Sequence, residues 1–129
     1  MKPYTIGDYY EIEVITDETM RAEFEGVIIH NLYSTWSLVY HAELCARRLL
    51  EKYLEDNEQG IGYSICIKHL APTKIGKKVQ IRAILRSVEN NKFICDIEGY
   101  NEDGKKIAEG YQIQVFMKKD ELEKRINQA

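Results

Sequence analysis

Three side chains whose types suit chemistry, Thr35, Glu43 and His69, fall at suggestive places in the pattern of apolar residues. Read as a helix from about Thr35 to Leu54, the chain puts Val39, Ala42, Ala46, Leu49, Leu50 and Tyr53 on one stripe, at steps of three, four and seven. Glu43 falls inside that stripe, four residues after Val39 and seven before Leu50. A carboxylate on a buried helix face is expensive unless it is paired, hydrogen-bonded or protonated. The next segment, Ile61 to His69, reads as a strand. Strict alternation puts Ile61, Tyr63, Ile65, Ile67 and His69 on its apolar side. A carboxylate and an imidazole are thereby predicted to meet across a helix–sheet interface, a pairing able to move protons or activate water.

Each residue also has a structural reading. Glu43 could be a buried acid held by an arginine or a backbone group, and His69 a strand-end histidine bonded to a carbonyl. Ser34 or Thr35 makes a credible N-cap, because a hydroxyl there accepts from an orphan backbone N–H. Gly62 could simply relieve packing against the helix. His41 is read as exposed or at a subunit contact, on the side of the helix away from Glu43. His30 lies in an undecided segment, residues 19–33, in which Ala22 to Glu25 could be a helical turn and Gly26 to His30 a short strand or a loop lining a pocket. Residues at 30, 41 and 69 lack the spacing of a histidine metal site, and no metal or other cofactor is expected.

The elements that must position these groups are legible from their punctuation. Tyr9 to Ile15 alternates as a first strand. After the helix and the strand ending at His69, Ala71 to Gly76 forms a loop. Three further strands follow, Val79 to Val88, Phe93 to Tyr100 and Lys106 to Met117, separated by the turns Glu89–Lys92 and Asn101–Gly104. The tail, Asp120 to Gln128, is charged and helical in pattern. One long helix against a curled antiparallel sheet is an α+β solution, with four consecutive strands expected as a meander.

Composition narrows the function classes. At 129 residues the chain makes one domain, residues 1–129, with 44% hydrophobic and 30% charged residues and only two prolines. A formal net charge of −3 gives no general basic field for nucleic acid, although Lys74, Lys77 and Lys78 cluster locally. Cys45, Cys66 and Cys95 form no pair of metal-binding spacing and read as free thiols in a reducing cytoplasm. The polar N-terminus lacks a signal-peptide pattern, and no stretch approaches the ~20 apolar residues of a membrane span.

The ordered set Ser34-Thr35, Glu43 within Ala42-Glu43-Leu44, Tyr53-Leu54-Glu55, Gly60-Ile61-Gly62 and Ile65-Cys66-Ile67-Lys68-His69 resembles the hotdog-fold thioesterases of the fluoroacetyl-CoA thioesterase type. Leu85 to Glu89 and Ala108-Glu109-Gly110 add to the likeness, which runs from about Ile6 to Met117. The resemblance implies a hotdog fold of about five strands wrapped around a central helix. It also implies a homodimer or dimer of dimers, with sheets joined edge to edge and sites at the interface. Its activity would be hydrolysis of an acyl thioester, of CoA or an acyl carrier protein, by a catalytic set matching Thr35, Glu43 and His69. Gly62 would lie beside the thioester carbonyl and Ser34 against the substrate. Two positions depart from the fluoroacetyl-specific pattern: Gln114 stands where an arginine is expected, and Glu23 to Ile29 replaces a phenylalanine-rich lid. The competing functions are a non-catalytic acyl-CoA-binding module and a hotdog hydratase or dehydratase. The latter favours an Asp–His pair close in sequence that is not found here.

Overall fold

The computed structural model describes Met1 to Ala129. Ser34 starts the central helix α1 (Thr35–Glu51), its side chain accepting from Ser37 N at 3.1 Å. That leaves the Thr35 hydroxyl free of capping duty. The helix ends three residues before the expected Leu54, where Lys52 N turns back onto Leu49 O. Its buried side carries Ser37, Leu38, His41, Ala42, Cys45, Ala46, Leu49 and Leu50. The true stripe is therefore rotated by about one residue from the predicted one, because Ser37, His41 and Cys45 belong to it. Glu43 sits on the exposed flank of the isolated chain, and His41 is buried.

Two layers make the domain: α1 and a five-stranded antiparallel sheet. The sheet contains β1 (Tyr9–Ile15), β4 (Glu58–His69), β5 (Lys78–Glu89), β6 (Lys92–Asn101) and β7 (Lys106–Lys118), in the spatial order β1-β5-β6-β7-β4. Only β5, β6 and β7 form the expected meander. The loop after His69 carries the chain across, so β4 pairs with β7 and forms an outer edge. Register shifts between Gly62 and Ser64, Leu85 and Ser87, and Gly99 and Tyr100 bend and twist the sheet around the helix. Leu38, Ala42, Ala46 and Leu49 then close a core with Val79, Ile81, Ala83 and Leu85 of β5 and Phe93, Cys95 and Ile97 of β6. At about 1.5–3 kcal/mol for each large aliphatic or Phe side chain removed from water, this interface dominates the stabilising side of folding.

Residues 19–33, undecided from sequence, fall in a 3-10 turn (Glu18–Met20) and a separate hairpin of β2 (Arg21–Phe24) and β3 (Val27–Tyr33). Glu25 and Gly26, with φ of 50° and 81°, make its tight two-residue turn. The short charged helix α2 (Lys119–Gln128) packs on β7 and β4.

The bulge in β4 overturns the predicted alternation. Gly62 faces Gln114, and Ile65 faces Gln112, with Tyr63 as the extra residue. Gly62, Ile65, Ile67 and His69 therefore share the helix-facing side, while Ile61 and Tyr63 are exposed. Opposite Ile67, Gly110 lies so close to β4 that a Cβ there would stand 1.9 Å from the Cys66 carbonyl oxygen. Gly110→Ala should therefore destabilise the fold by about 3 kcal/mol, measured by urea unfolding, because backbone rather than a flexible side chain must yield. A loss under about 1 kcal/mol would contradict this packing of β4 on β7.

Candidate active site

The N-terminus of α1 and the end of β4 bring two predicted residues together. Thr35 Oγ1 lies 2.9 Å from His69 Nδ1. The Tyr33 ring stands edge-on to the His69 ring, with centroids 6.2 Å apart. His69 Nε2 is buried with no hydrogen-bond partner. Burial lowers the His69 pKa, since protonation would charge a desolvated ring and oblige both nitrogens to donate. The neutral ring is the resting form. Ser34, the other residue expected here, is 2% exposed with its hydroxyl oxygen engaged as the helix cap.

Glu43 is elsewhere in the protomer. Eight residues along α1 from Thr35, it is displaced by about 12 Å on the helix axis at 1.5 Å per residue. It faces β4 at Gly62, where a Cβ would stand 2.8 Å from Glu43 Oε1. Tyr40, Leu44, Arg47 and Gln114 complete the lining of a cavity here. Arg47 approaches Glu51 to 3.9 Å; its guanidinium donates to the Gly60 carbonyl at 2.9 Å and to Gln59 Oε1. Within one chain, then, Thr35 and His69 form one cluster and Glu43 and Gly62 another. The predicted contact between Glu43 and His69 does not occur inside the protomer.

Both clusters border the free edge of β4. That edge is 12 residues long and displays Ile61 and Tyr63 to solvent at 40% and 61% exposure. An unpaired edge of this length is a template for another strand.

Several polar groups are buried that the sequence reading does not place in the interior. Tyr33 Oη lies 2.6 Å from His41 Nδ1, both residues buried and their rings stacked, and burial holds the His41 pKa down and the Tyr33 pKa up. Gln112 is fully buried with both amide atoms unpartnered, and Gln114 Nε2 is likewise unpartnered. The signal for these two was present: amides alternating on the helix-facing side of an otherwise apolar strand. No group of three His, Cys, Asp or Glu side chains is gathered so as to hold a metal ion. Cys45 and Cys95 are buried, their thiols pushed up to about 11 and about 12 by desolvation, which makes them poor nucleophiles.

A family model of fluoroacetyl-CoA-specific thioesterases matches residues 15–120. A fluoroacetyl-CoA thioesterase from Streptantibioticus cattleyicolor is 32% identical over 80 residues, covering 62% of this chain and 54% of that protein. The chain thus matches about half the length of that relative. A solved thioesterase superfamily member from Thermus thermophilus superimposes with a TM-score of 0.95 at 31% identity, over 99% of this chain and 94% of that one. A hot-dog-like protein from Thermanaerovibrio acidaminovorans shares the fold, with a TM-score of 0.87 at 20% identity over 97% and 92% of the two chains.

The two desolvated histidines, His41 and His69, make stability depend on pH. Their folded-state pKa values lie below the unfolded value of about 6.5, so the unfolded chain binds more protons as the pH falls. Their contribution is complete above about pH 6.5 and is lost as pH falls through the folded-state values. The urea midpoint should drop between pH 7.5 and pH 5.5, and His69 should titrate below about 6.5 by NMR. A His69 midpoint at or above that value would refute the buried, neutral ring.

Proposed function

The chain belongs to the fluoroacetyl-CoA-specific thioesterase family, and on that premise we propose that it hydrolyses acyl-CoA thioesters to a carboxylate and free CoA thiol. The observation that carries this reading is the Thr35–His69 pair at 2.9 Å, set on one side of the free β4 edge with Glu43 and Gly62 on the same edge. Thr35, Glu43 and His69 act as the catalytic set, and the active unit is a homodimer. Antiparallel pairing of β4 with its copy, about a two-fold axis through Cys66 and with Tyr63 as the extra residue of each strand, sets Gly62 opposite the partner subunit's His69. The interface thus unites the two clusters that one protomer keeps apart.

The chemistry follows from what each group can donate or accept. Glu43 supplies the oxygen base. It either attacks the thioester carbonyl, giving an anhydride that water then opens, or takes the proton of an attacking water. The carbonyl oxygen becomes an oxyanion, met by the backbone N–H at Gly62, where no side chain blocks close approach. Collapse breaks the C–S bond, and the thiolate leaves as CoA thiol after gaining a proton. His69, neutral and bonded to Thr35, orients the water or relays that proton. An acyl-CoA-binding module without turnover would keep the same cavities and release no thiol.

Three variants test the reading. Glu43→Gln should lower kcat by about a thousandfold with the melting temperature unchanged; wild-type turnover by it would sink the mechanism. Gly62→Ala should lower kcat by at least about tenfold at nearly unchanged stability, because the new methyl displaces only the mobile end of Glu43. Mixing Glu43→Gln with Thr35→Ala subunits, each inactive alone, should restore about a quarter of the wild-type activity, since half of the dimers then carry one intact site. No recovery after verified subunit exchange would place the whole set within one chain.

A further inference from the structure

Beside Thr35 and His69 opens a cavity of about 530 Å³ whose walls come from the hairpin, the start of α1 and the loop after β4. We infer that it is an acyl pocket built for an uncharged, apolar acyl group longer than two carbons; this deepens the thioesterase reading and rests on it. Size is the first observation. At about 30 Å³ per non-hydrogen group, the share of one liquid water, an acetyl unit fills about 90 Å³. The remainder would have no substrate atoms against it.

The lining is the second observation. Phe24, Ile29, Leu32, Trp36, Leu70 and Pro72 face the space, and no Lys, Arg, Asp or Glu does. The polar groups that reach it are largely committed to one another. Tyr33 bonds His41, Ser34 caps α1, and Thr35 bonds His69. The exceptions are His30, on the exposed β3 strand, and the unpartnered Nε2 of His69. A substrate carboxylate entering this space would lose water and find no cationic side chain in return.

The hairpin explains how such a wall is made. Register shifts on either side of Ala22 pair it with His30, and Glu23 with Ile28, so Ile29 is the extra residue and both Ile29 and His30 reach the cavity. Phe24 and Ile29 remain 58% and 60% exposed, with Leu70 at 48% and Trp36 at 43%. These apolar groups border the cavity next to the proposed thioester carbonyl site, and an acyl chain continuing from that carbonyl covers them. Phe24 and Ile29 are therefore specificity-determining residues.

The experiment compares acetyl-, butanoyl-, hexanoyl- and succinyl-CoA in a thiol-release assay, with wild type and Ile29→Asp. The substitution sits at an exposed position, so the fold is not at risk; Phe24→Ala serves as the second variant. kcat/KM should rise about fourfold for each methylene added from acetyl to hexanoyl. Succinyl-CoA should lie at least about a hundredfold below butanoyl-CoA. Ile29→Asp should cut the hexanoyl-to-acetyl ratio by about tenfold. A flat or falling chain-length profile, or succinyl-CoA matching butanoyl-CoA, in an otherwise active hydrolase would overturn the pocket and leave the thioesterase. Should no thioester be cleaved, the hydrolytic reading fails, and calorimetric affinities decide the pocket separately. Tighter binding of hexanoyl- than acetyl-CoA would uphold it, and equal affinities would overturn it.

Discussion

The burial of one side of α1 is the constraint on which the rest of the protomer depends. The stripe from Leu38 through Ala42, Ala46 and Leu49 is removed from water only because the sheet curls, and the sheet curls where β4, β5 and the β6–β7 pairing carry register shifts. Small residues, Ala42 and Ala46, let the helix sit low on the strands. Once its rotation is fixed, every functional group on it is fixed too. Thr35 is held at the N-terminus over the end of β4, and Glu43 is turned one residue past the buried side, against bare backbone at Gly62. A helix rotated by about 100° to bury Glu43 would carry His41 and Cys45 out of the core and cost more in lost contact than the carboxylate could return.

Much of this was legible in the sequence. The strand limits, the helix start and the turns follow from period and punctuation, and the family likeness named the fold. Two kinds of information were not. The first is parity: one extra residue, Tyr63, inverts which side chains of β4 face the helix, and its one sign in Ile61 to His69 is Gly62, which marks a bulge and a close approach equally. The second is spatial order. Eight residues separate β4 from β5, enough to turn a hairpin or to cross to the far edge, and the sequence does not distinguish them. The helix stripe was misread for a related reason. Ser37 and His41 look polar in a list of residues, yet each finds a buried partner, the Met20 carbonyl for Ser37 and the Tyr33 hydroxyl for His41.

The candidate site was legible as residues and not as a geometry. Thr35, Glu43 and His69 stand out by type and spacing, but periodicity places groups only on elements of one chain. Here the chain keeps the carboxylate and the imidazole about two helical turns apart and sets both beside the same unpaired edge. Under the proposed pairing, the row of unsatisfied backbone groups on β4 that would otherwise invite indiscriminate association becomes the seam of the site. That arrangement also accounts for an exposed Glu43, which an isolated protomer gives no reason to keep at the bare backbone of Gly62.

The unpartnered amides bear on the same seam. Gln112 and Gln114 lie on the helix-facing side of β7, opposite Ile65 and Gly62, and a buried amide without partners costs about 1–3 kcal/mol for each group left dry. Apolar residues of similar volume would remove that cost, so stability alone does not explain two glutamines there. Gln114 shares its cavity with Glu43 and Gly62, which puts an amide beside the proposed oxygen base where the fluoroacetyl-specific resemblance leads to the expectation of an arginine. A neutral amide can hold a water or a carboxylate by hydrogen bonds without the full charge of a guanidinium. On the reading proposed here, Gln114 orients Glu43 or its attacking water by hydrogen bonds, while the guanidinium that lines the same cavity, that of Arg47, is already engaged by the Gly60 carbonyl and Gln59 Oε1.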